Sequence, residues 1–344
     1  MGENPHQNAQ PKCQIITIQD LYSQYISSKQ TPLAASTLYQ YKSWMNNHFS
    51  DWLALPAESI TGSMVLDRLN SMEKNVGLVQ TANSIKLLRG LYRMGIALHP
   101  GVIIYNPVEA VREVRGRNWT PRKRRMTYIK PGDLSAWYEA VDDYGNPKKP
   151  EYMLFLLYTG LRRNEGARLK WSGINFKEKS FTFTPEKKRS EKPEDDVVTM
   201  PLSSEVHRLL LHRRAEGREN KYVFPGKHPS PYISNPDNWK RNIIQISGVK
   251  FCFHDLRRTF IAIAESLDIP HYALKALLNH SMGSDVTGGY VCMSTERLRE
   301  PMQRIADRIT ELATAAPVIE DCFSLPFVAP VGGRGEGAAA GERW

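Results

Sequence analysis

Between Arg112 and Met126 the sequence reads REVRGRNWTPRKRRM, seven basic residues against one acid. So dense a run of like charge stays solvated or meets a polyanion; it does not enter a core. The chain therefore divides around it, and the patterns on its two sides differ. The expected plan is a flexible N-terminus over 1–14, a helical unit over 15–110, the basic linker over 111–126, a mixed unit over 127–315 and a disordered tail over 316–344. A length of 344 residues suits two domains of ordinary size, ~100–200 residues each.

Before the linker, apolar residues recur at spacings of three and four, the period of amphipathic helices. Ile18, Leu21, Tyr22, Tyr25 and Ile26 form one stripe, opened by Thr17 with Asp20 three residues on, a variant of the capping box. Leu38, Tyr41, Trp44, His48 and Trp52 form a second. A shorter helix starts near Thr61, a longer one spans about Val79 to Leu98, and Pro107 opens a final short turn. Four to five helices with short links predict a small all-α domain.

After the linker the pattern changes. The stretch KPGDLSAWYEAV starts a helix, EYMLFLLYTG is a buried helix stopped by Gly160, and a polar helix follows from Asn164. INFKEKSFTFTPE alternates, with Phe181 and Phe183 on one face, as strand, turn and strand; DDVVTMPL supplies the returning strand. Three strands among at least six helices predict an α+β unit, mainly α, with one small antiparallel sheet. Near the end, Leu298, Met302, Ile305, Ile309 and Leu312 stripe a helix whose packing, on its own chain or on a neighbour, the stripe leaves open. The glycine-rich PVGGRGEGAAAGERW that follows gives no reason to order.

The charge balance of 46 Lys+Arg against 36 Asp+Glu, net +10, favours a polyanionic partner. The DNA-contact candidates are the basic residues of the linker: Arg112, Arg115, Arg117, Arg122, Lys123, Arg124 and Arg125. The four cysteines, Cys13, Cys252, Cys292 and Cys322, contain no C-x-x-C pair, which argues against a zinc knuckle or a disulfide framework. No apolar run approaches the ~20 residues of a membrane span, and the N-terminus lacks the regions of a signal peptide. A cytoplasmic, bacterial location is expected, at the nucleoid when DNA is bound.

Several short stretches carry residues with chemistry. TGLRRNE offers Arg162, just past Gly160. HDLRRTF offers His254 and Arg257, three apart and so on one helix face. LLNH ends on His280, and TGGY on Tyr290. The strand turn PEKKRSEKPEDD offers Lys187, Lys188 and Lys192. Together they form a chemically complete set. Two guanidiniums hold the non-bridging oxygens of a phosphodiester and its developing charge. A lysine protonates the leaving alkoxide, histidines move a proton, and a tyrosine forms the covalent phosphoester. No metal or other cofactor is required. A metal-dependent phosphohydrolase, suggested by the His254-Asp255 pair, lacks its second carboxylate and further histidines at recognisable spacing.

In their order and approximate spacing, TGLRRNE, HDLRRTF, LLNH and TGGY closely resemble the tyrosine recombinase (phage integrase) family over roughly Met126 to Arg308. FPG at Phe224 to Gly226 and RLREPMQRI resemble prophage-type integrases in particular. The helical segment before the linker resembles, more weakly, that family's all-α, SAM-like core-binding domain. The resemblance implies that Arg162 and Arg257 clamp the phosphate, His254 assists proton transfer, His280 hydrogen-bonds the scissile phosphate and Tyr290 attacks it. Glu165 is implied to be a structural acid, with an ordinary helix ion pair as the alternative. The family's lysine lies in the strand turn; Lys188 fits its position, with Lys192 as competitor.

The implied activity is site-specific recombination through a 3′-phosphotyrosine, performed by four protomers on two duplexes, with a monomer or weak oligomer in the absence of DNA. A DNA-bending accessory protein is a possible further partner. A type IB topoisomerase shares the chemistry, and a non-catalytic DNA-binding relic shares the fold. The short stretch before Thr17 leads to no expectation of a separate arm-binding domain. One departure is Asn279, where the family usually has glycine.

Overall fold

The computed structural model describes residues 15–116, 126–144, 150–185, 197–216, 220–226, 229–234, 236–280 and 294–315. The chain divides into two compact units, with the boundary between Arg125 and Met126.

The first unit holds five α-helices: α1 Ile18–Ser27, α2 Ala35–His48, α3 Gly62–Asn75, α4 Leu78–Leu98 and α5 Val108–Arg115. Helix α1 starts as its sequence dictates. Thr17 N–H donates to Asp20 Oδ2 at 2.9 Å, and Asp20 N–H to Thr17 Oγ1 at 3.1 Å, so two otherwise unpaired donors are satisfied reciprocally. The apolar faces of the five helices close on one core containing Leu21, Phe49, Leu69, Leu88 and Val111. Tyr92 crosses it to donate to the Ala57 carbonyl at 2.8 Å.

The stripe of α2 faces the core: Met45 is buried, and Tyr41 and Trp44 pack half-buried against it, their ring centroids 5.8 Å apart. One expectation needs correcting in this unit: the basic linker starts later than residue 111. Helix α5 runs to Arg115 because Val108 and Val111 are buried against the core, and burial of that face outweighs the local charge.

The second unit holds eight helices among its described residues: α6 Pro131–Asp142, α7 Pro150–Thr159, α8 Arg163–Ala167, α9 Ser204–Ala215, α10 Asp237–Ser247, α11 Phe253–Ser266, α12 His271–Leu277 and α13 Thr295–Thr314. Between α8 and α9 stand three short strands, β1 Ile174–Asn175, β2 Ser180–Phe183 and β3 Val198–Pro201. They form an antiparallel meander in the order β1-β2-β3, with Ile174 opposite Phe181 and Phe181 opposite Met200. The fold is thus mainly α with one small antiparallel sheet, as the pattern predicts. Phe181 and Phe183 share a face with ring centroids 6.0 Å apart, and Phe155 of α7 meets Phe181 at 5.9 Å. Helix α7 is apolar all round, as a helix buried on every side must be.

Helix α13 packs on its own chain. Leu298, Met302, Ile305 and Ile309 are buried in the core that also contains Trp137 of α6 and Leu277 of α12, and Tyr158 and Thr310 hydrogen-bond through their hydroxyls at 3.0 Å. Among the described residues no helix is long and apolar enough to cross a membrane.

Candidate active site

The site is built around the corner where α7 ends. Gly160 adopts φ +63°, the left-handed conformation that glycine enters without penalty, and its N–H closes α7 onto the Leu156 carbonyl at 3.0 Å. The chain then turns into α8, with Arg162 as the residue before the first helical position. Glu165 holds that residue twice. Its Oε2 accepts from the Arg162 backbone N–H at 3.0 Å and its Oε1 from Arg162 Nη1 at 3.0 Å. The Glu165 side chain is fully buried, whereas that of Arg162 is 31% exposed. A buried carboxylate therefore aims a guanidinium that still reaches solvent. Both alternatives for Glu165 hold at once: it is the structural acid, and it is an ion pair.

Arg257 on α11 is buried, and its guanidinium ties three segments together. Nη1 donates to the Gly160 carbonyl at 2.7 Å, Nη2 to the Leu278 carbonyl at 2.7 Å, and Nη2 also meets His280 Nε2 at 2.8 Å. A guanidinium only donates, so His280 Nε2 is the acceptor in this state. Burial, reinforced by the neighbouring charge of Arg162 and opposed by Glu165, brings the Arg257 guanidinium down to about 10. Two like charges converging on one spot with a single buried carboxylate behind them form a site that an anion would relieve.

His254 stands on the same face of α11, exposed. Burial of part of the ring, then the charges of Arg258, Arg257 and Arg162, hold its pKa below the ordinary histidine value, against the pull of Asp255. A ring so placed is neutral near pH 7 and able to take up a proton.

Asp255, the neighbour that gives the sequence its HD pair, has another task. Its Oδ2 accepts from Cys252 N–H at 2.8 Å at the start of α11, and its Oδ1 from Thr127 Oγ1 and Arg258 Nη1, both at 2.9 Å. Burial pushes its carboxyl up, and these hydrogen bonds outweigh it, so its pKa lies below the usual carboxylate value. Thr259 adds a second tie, accepting from Ile129 N–H at 2.9 Å. Asp255 and Thr259 thus fix the start of the unit to the helix that carries His254 and Arg257. The sequence signal for this is the Cys252-x-x-Asp255 spacing of a capping box.

His280 reaches Arg257 through a turn that the sequence marks only by its unusual residue. Helix α12 ends with His280 N–H donating to the Lys275 carbonyl at 2.9 Å and Asn279 N–H to the Ala276 carbonyl at 2.9 Å, the paired bonds of a Schellman motif. Asn279 occupies the left-handed position, φ +46°. This explains a glycine there in the related pattern: only glycine, or at modest cost asparagine, suits that conformation. Asn279→Gly is expected to melt close to wild type, whereas Asn279→Val, with a β-branched side chain in the left-handed region, should lose about 1–2 kcal/mol. Urea denaturation checks this, and a valine variant as stable as wild type would contradict the assignment.

Of the sequence-predicted catalytic residues, Arg162, His254, Arg257 and His280 thus converge. Lys188 and Tyr290 lie outside the described residues, as does Lys192. The flanks of the lysine turn are described, because β2 and β3 pair as a hairpin around it. Of the basic candidates, Arg117, Arg122, Lys123, Arg124 and Arg125 also lie outside. Arg112 pairs with Glu109 and Arg115 with Glu73, each at 2.8 Å, so in this state both serve the helical unit.

Residues 128–297 match the model of the phage integrase family. Prophage integrase IntF of Escherichia coli (strain K12) is 26% identical over 237 residues, which cover 66% of this chain and 48% of that protein. The chain spans about half the length of the curated relatives it matches. Among solved structures, the Tn1549 transposon integrase in complex with a circular intermediate DNA superposes with a TM-score of 0.65 at 16% identity, covering 84% of this chain and 99% of that one. A lambda integrase tetramer bound to a Holliday junction superposes with a TM-score of 0.61 at 18% identity, covering 78% and 79%. At such identities the likeness is one of fold, and the fold is the same in both. The motifs, the convergence of Arg162, Arg257 and His280 on one corner of the second unit and the family match over residues 128–297 agree: this unit belongs to the phage integrase family, the tyrosine recombinases.

Proposed function

We propose that this protein is a site-specific DNA recombinase that cleaves and rejoins DNA through a 3′-phosphotyrosine. The observation that carries the reading is the Arg162–Glu165 and Arg257–His280 arrangement, two guanidiniums converging beside two histidines at a solvent-accessible corner. The free guanidinium hydrogens of Arg162 and Arg257 bind the non-bridging oxygens of the scissile phosphate and stabilise the added charge of the pentacoordinate transition state. Tyr290 Oη attacks the phosphorus, and neutral His254 assists removal of its proton. Lys188 protonates the departing 5′-oxygen. On DNA, the Arg257–His280 contact gives way so that His280 turns a ring N–H to the phosphate.

The phosphoester bond to tyrosine retains the energy of the phosphodiester, so a 5′-hydroxyl from the partner duplex reverses the attack without ATP, and no step calls for a metal. Exchange between two duplexes requires four protomers. The tetrameric lambda integrase on a Holliday junction supports that stoichiometry. In this reading the linker cations Arg117 and Arg122 to Arg125 lie along the phosphate backbone. A DNA-bending accessory protein is a further possible partner.

The test is a nicked suicide substrate carrying the element's own end sequence, incubated with protein in EDTA and resolved on a denaturing gel. Wild type is expected to give a covalent protein–DNA adduct, and Tyr290→Phe none. Absence of an adduct on DNA that the protein binds would favour the non-catalytic relic. An adduct followed by relaxation of supercoiled DNA without strand exchange would favour a topoisomerase.

A further inference from the structure

Next to the candidate active site, three cations stand on one outer face: Arg163, Arg168 and Lys170. Arg163 follows Arg162 directly; its Nη2 donates to the Ser234 carbonyl at 2.6 Å, and its guanidinium lies 5.5 Å from the ring centroid of Phe253, the neighbour of His254. Arg168 Nε donates to Tyr232 Oη at 3.2 Å. Lys170 pairs with Tyr222 in an antiparallel bridge, and the Tyr222 and Tyr232 rings stand 5.3 Å apart. In an antiparallel pair, facing residues project to the same side. The bridge therefore presents Lys170 and Tyr222 together, while Leu169 and Val223, on the alternate face, are buried.

Arg168 and Lys170 are exposed, and among the described residues no carboxylate lies within ion-pair distance of Arg163, Arg168 or Lys170. Five other arginines of this unit, Arg208, Arg258, Arg299, Arg304 and Arg308, each have a carboxylate partner. A row of cations without such partners, held by aromatic rings and carbonyls on rigid elements, is complementary to a regularly charged polyanion.

We propose that Arg163, Arg168 and Lys170, with Tyr222 and Tyr232 between them, form a second phosphate-binding strip that seats the duplex backbone beside the scissile phosphate. This rests on the DNA-cleaving reading above and adds to it a surface outside the basic linker. Arg168 and Lys170 meet consecutive phosphates of one strand, and the Tyr232 hydroxyl, by accepting from Arg168, sets the reach of its guanidinium. Contacts of this type fix register without reading sequence.

The experiment measures the affinity of the full chain for duplex core-site DNA by fluorescence anisotropy from 50 to 200 mM salt. Wild type is compared with the double variant Arg168→Gln, Lys170→Gln, and with a control of equal charge change, Lys177→Gln, Arg208→Gln. Loss of two phosphate contacts should reduce the log–log salt slope by about 1.8, so that the variant's advantage of low salt shrinks about 12-fold over this range. The control should keep the wild-type slope. All three proteins should melt alike, since the substituted side chains are exposed. A double variant with the wild-type slope, or a control that loses as much, would overturn the strip while leaving the cleavage reading intact. A wild type that binds no DNA would overturn both.

Discussion

Arg257→Lys is expected to lower single-turnover cleavage of a suicide substrate by about 10²–10³-fold, the loss typical of removing a donor aimed at developing charge, while the protein still folds. In the free protein this guanidinium is already engaged. It spans the Gly160 and Leu278 carbonyls and His280 Nε2 at 2.7, 2.7 and 2.8 Å. A planar fork reaches three partners on two segments and keeps further N–H groups for a phosphate; an ammonium is a point charge and reaches fewer partners at once. Burial and the like charge of Arg162, net of the pull of Glu165, disfavour this charge by about 3 kcal/mol, by the fall to about 10 at 1.36 kcal/mol per unit. Hydrogen bonds to a charged group contribute about 1.5–3 kcal/mol each, so three of them outweigh the cost.

Lysine keeps the charge and one or two of those bonds, which is why the fold should persist. Arg257→Ala removes all of them and leaves two buried carbonyls unpaired, at about 1–3 kcal/mol each; it should melt lower as well as fail to cleave. Adduct formation by Arg257→Lys within tenfold of wild type would show that the guanidinium acts as a strut only. The comparison of the two variants separates the chemical role from the structural one.

The sequence and the structure agree where one periodicity decides and part where tertiary contacts decide. The sheet is legible because Phe181 and Phe183 alternate with threonines and because β3 repeats the pattern. The convergence of Arg162, Arg257 and His280 is legible only through the family motifs, since nothing in local spacing brings residue 162 to residue 257. The linker boundary shifts because the charges of Arg112 and Arg115 suggest solvation, whereas Val108 and Val111, one turn before them on the same side of the helix, are buried and Glu73 and Glu109 neutralise the arginines. The partners of a surface charge are a property of the fold. The same reason hides the role of Asp255: beside His254 in sequence it suggests a metal pair, yet its oxygens are taken by Cys252, Thr127 and Arg258. Gly160 is the reverse case, a residue whose type alone announces its conformation.

That conformation leads to the second large effect, expected for Gly160→Val. The backbone there has φ +63°, and a Cβ at this position would stand 2.7 Å from Phe260 Cδ1 and 2.9 Å from its Cγ. Phe260 is fully buried on α11, one turn beyond Arg257, so the ring has no space into which to retreat. Left-handed backbone costs a residue with a Cβ about 1–2 kcal/mol, and overpacking a filled core typically adds about 1–3 kcal/mol. The sum, about 2–5 kcal/mol, is a large share of the ~5–15 kcal/mol by which domains are stable.

Any relaxation also moves the Gly160 carbonyl, and with it the acceptor that holds Arg257. Cleavage should therefore fall by more than the loss of folded protein explains. Gly160→Ala with Phe260→Leu separates the two causes. The smaller side chain relieves the clash but not the backbone strain, so the pair should recover part of the stability lost by Gly160→Ala alone. Thermal melts paired with adduct yield per folded molecule check both statements. A Gly160→Val protein of wild-type stability and activity would mean that this corner does not hold the arginine.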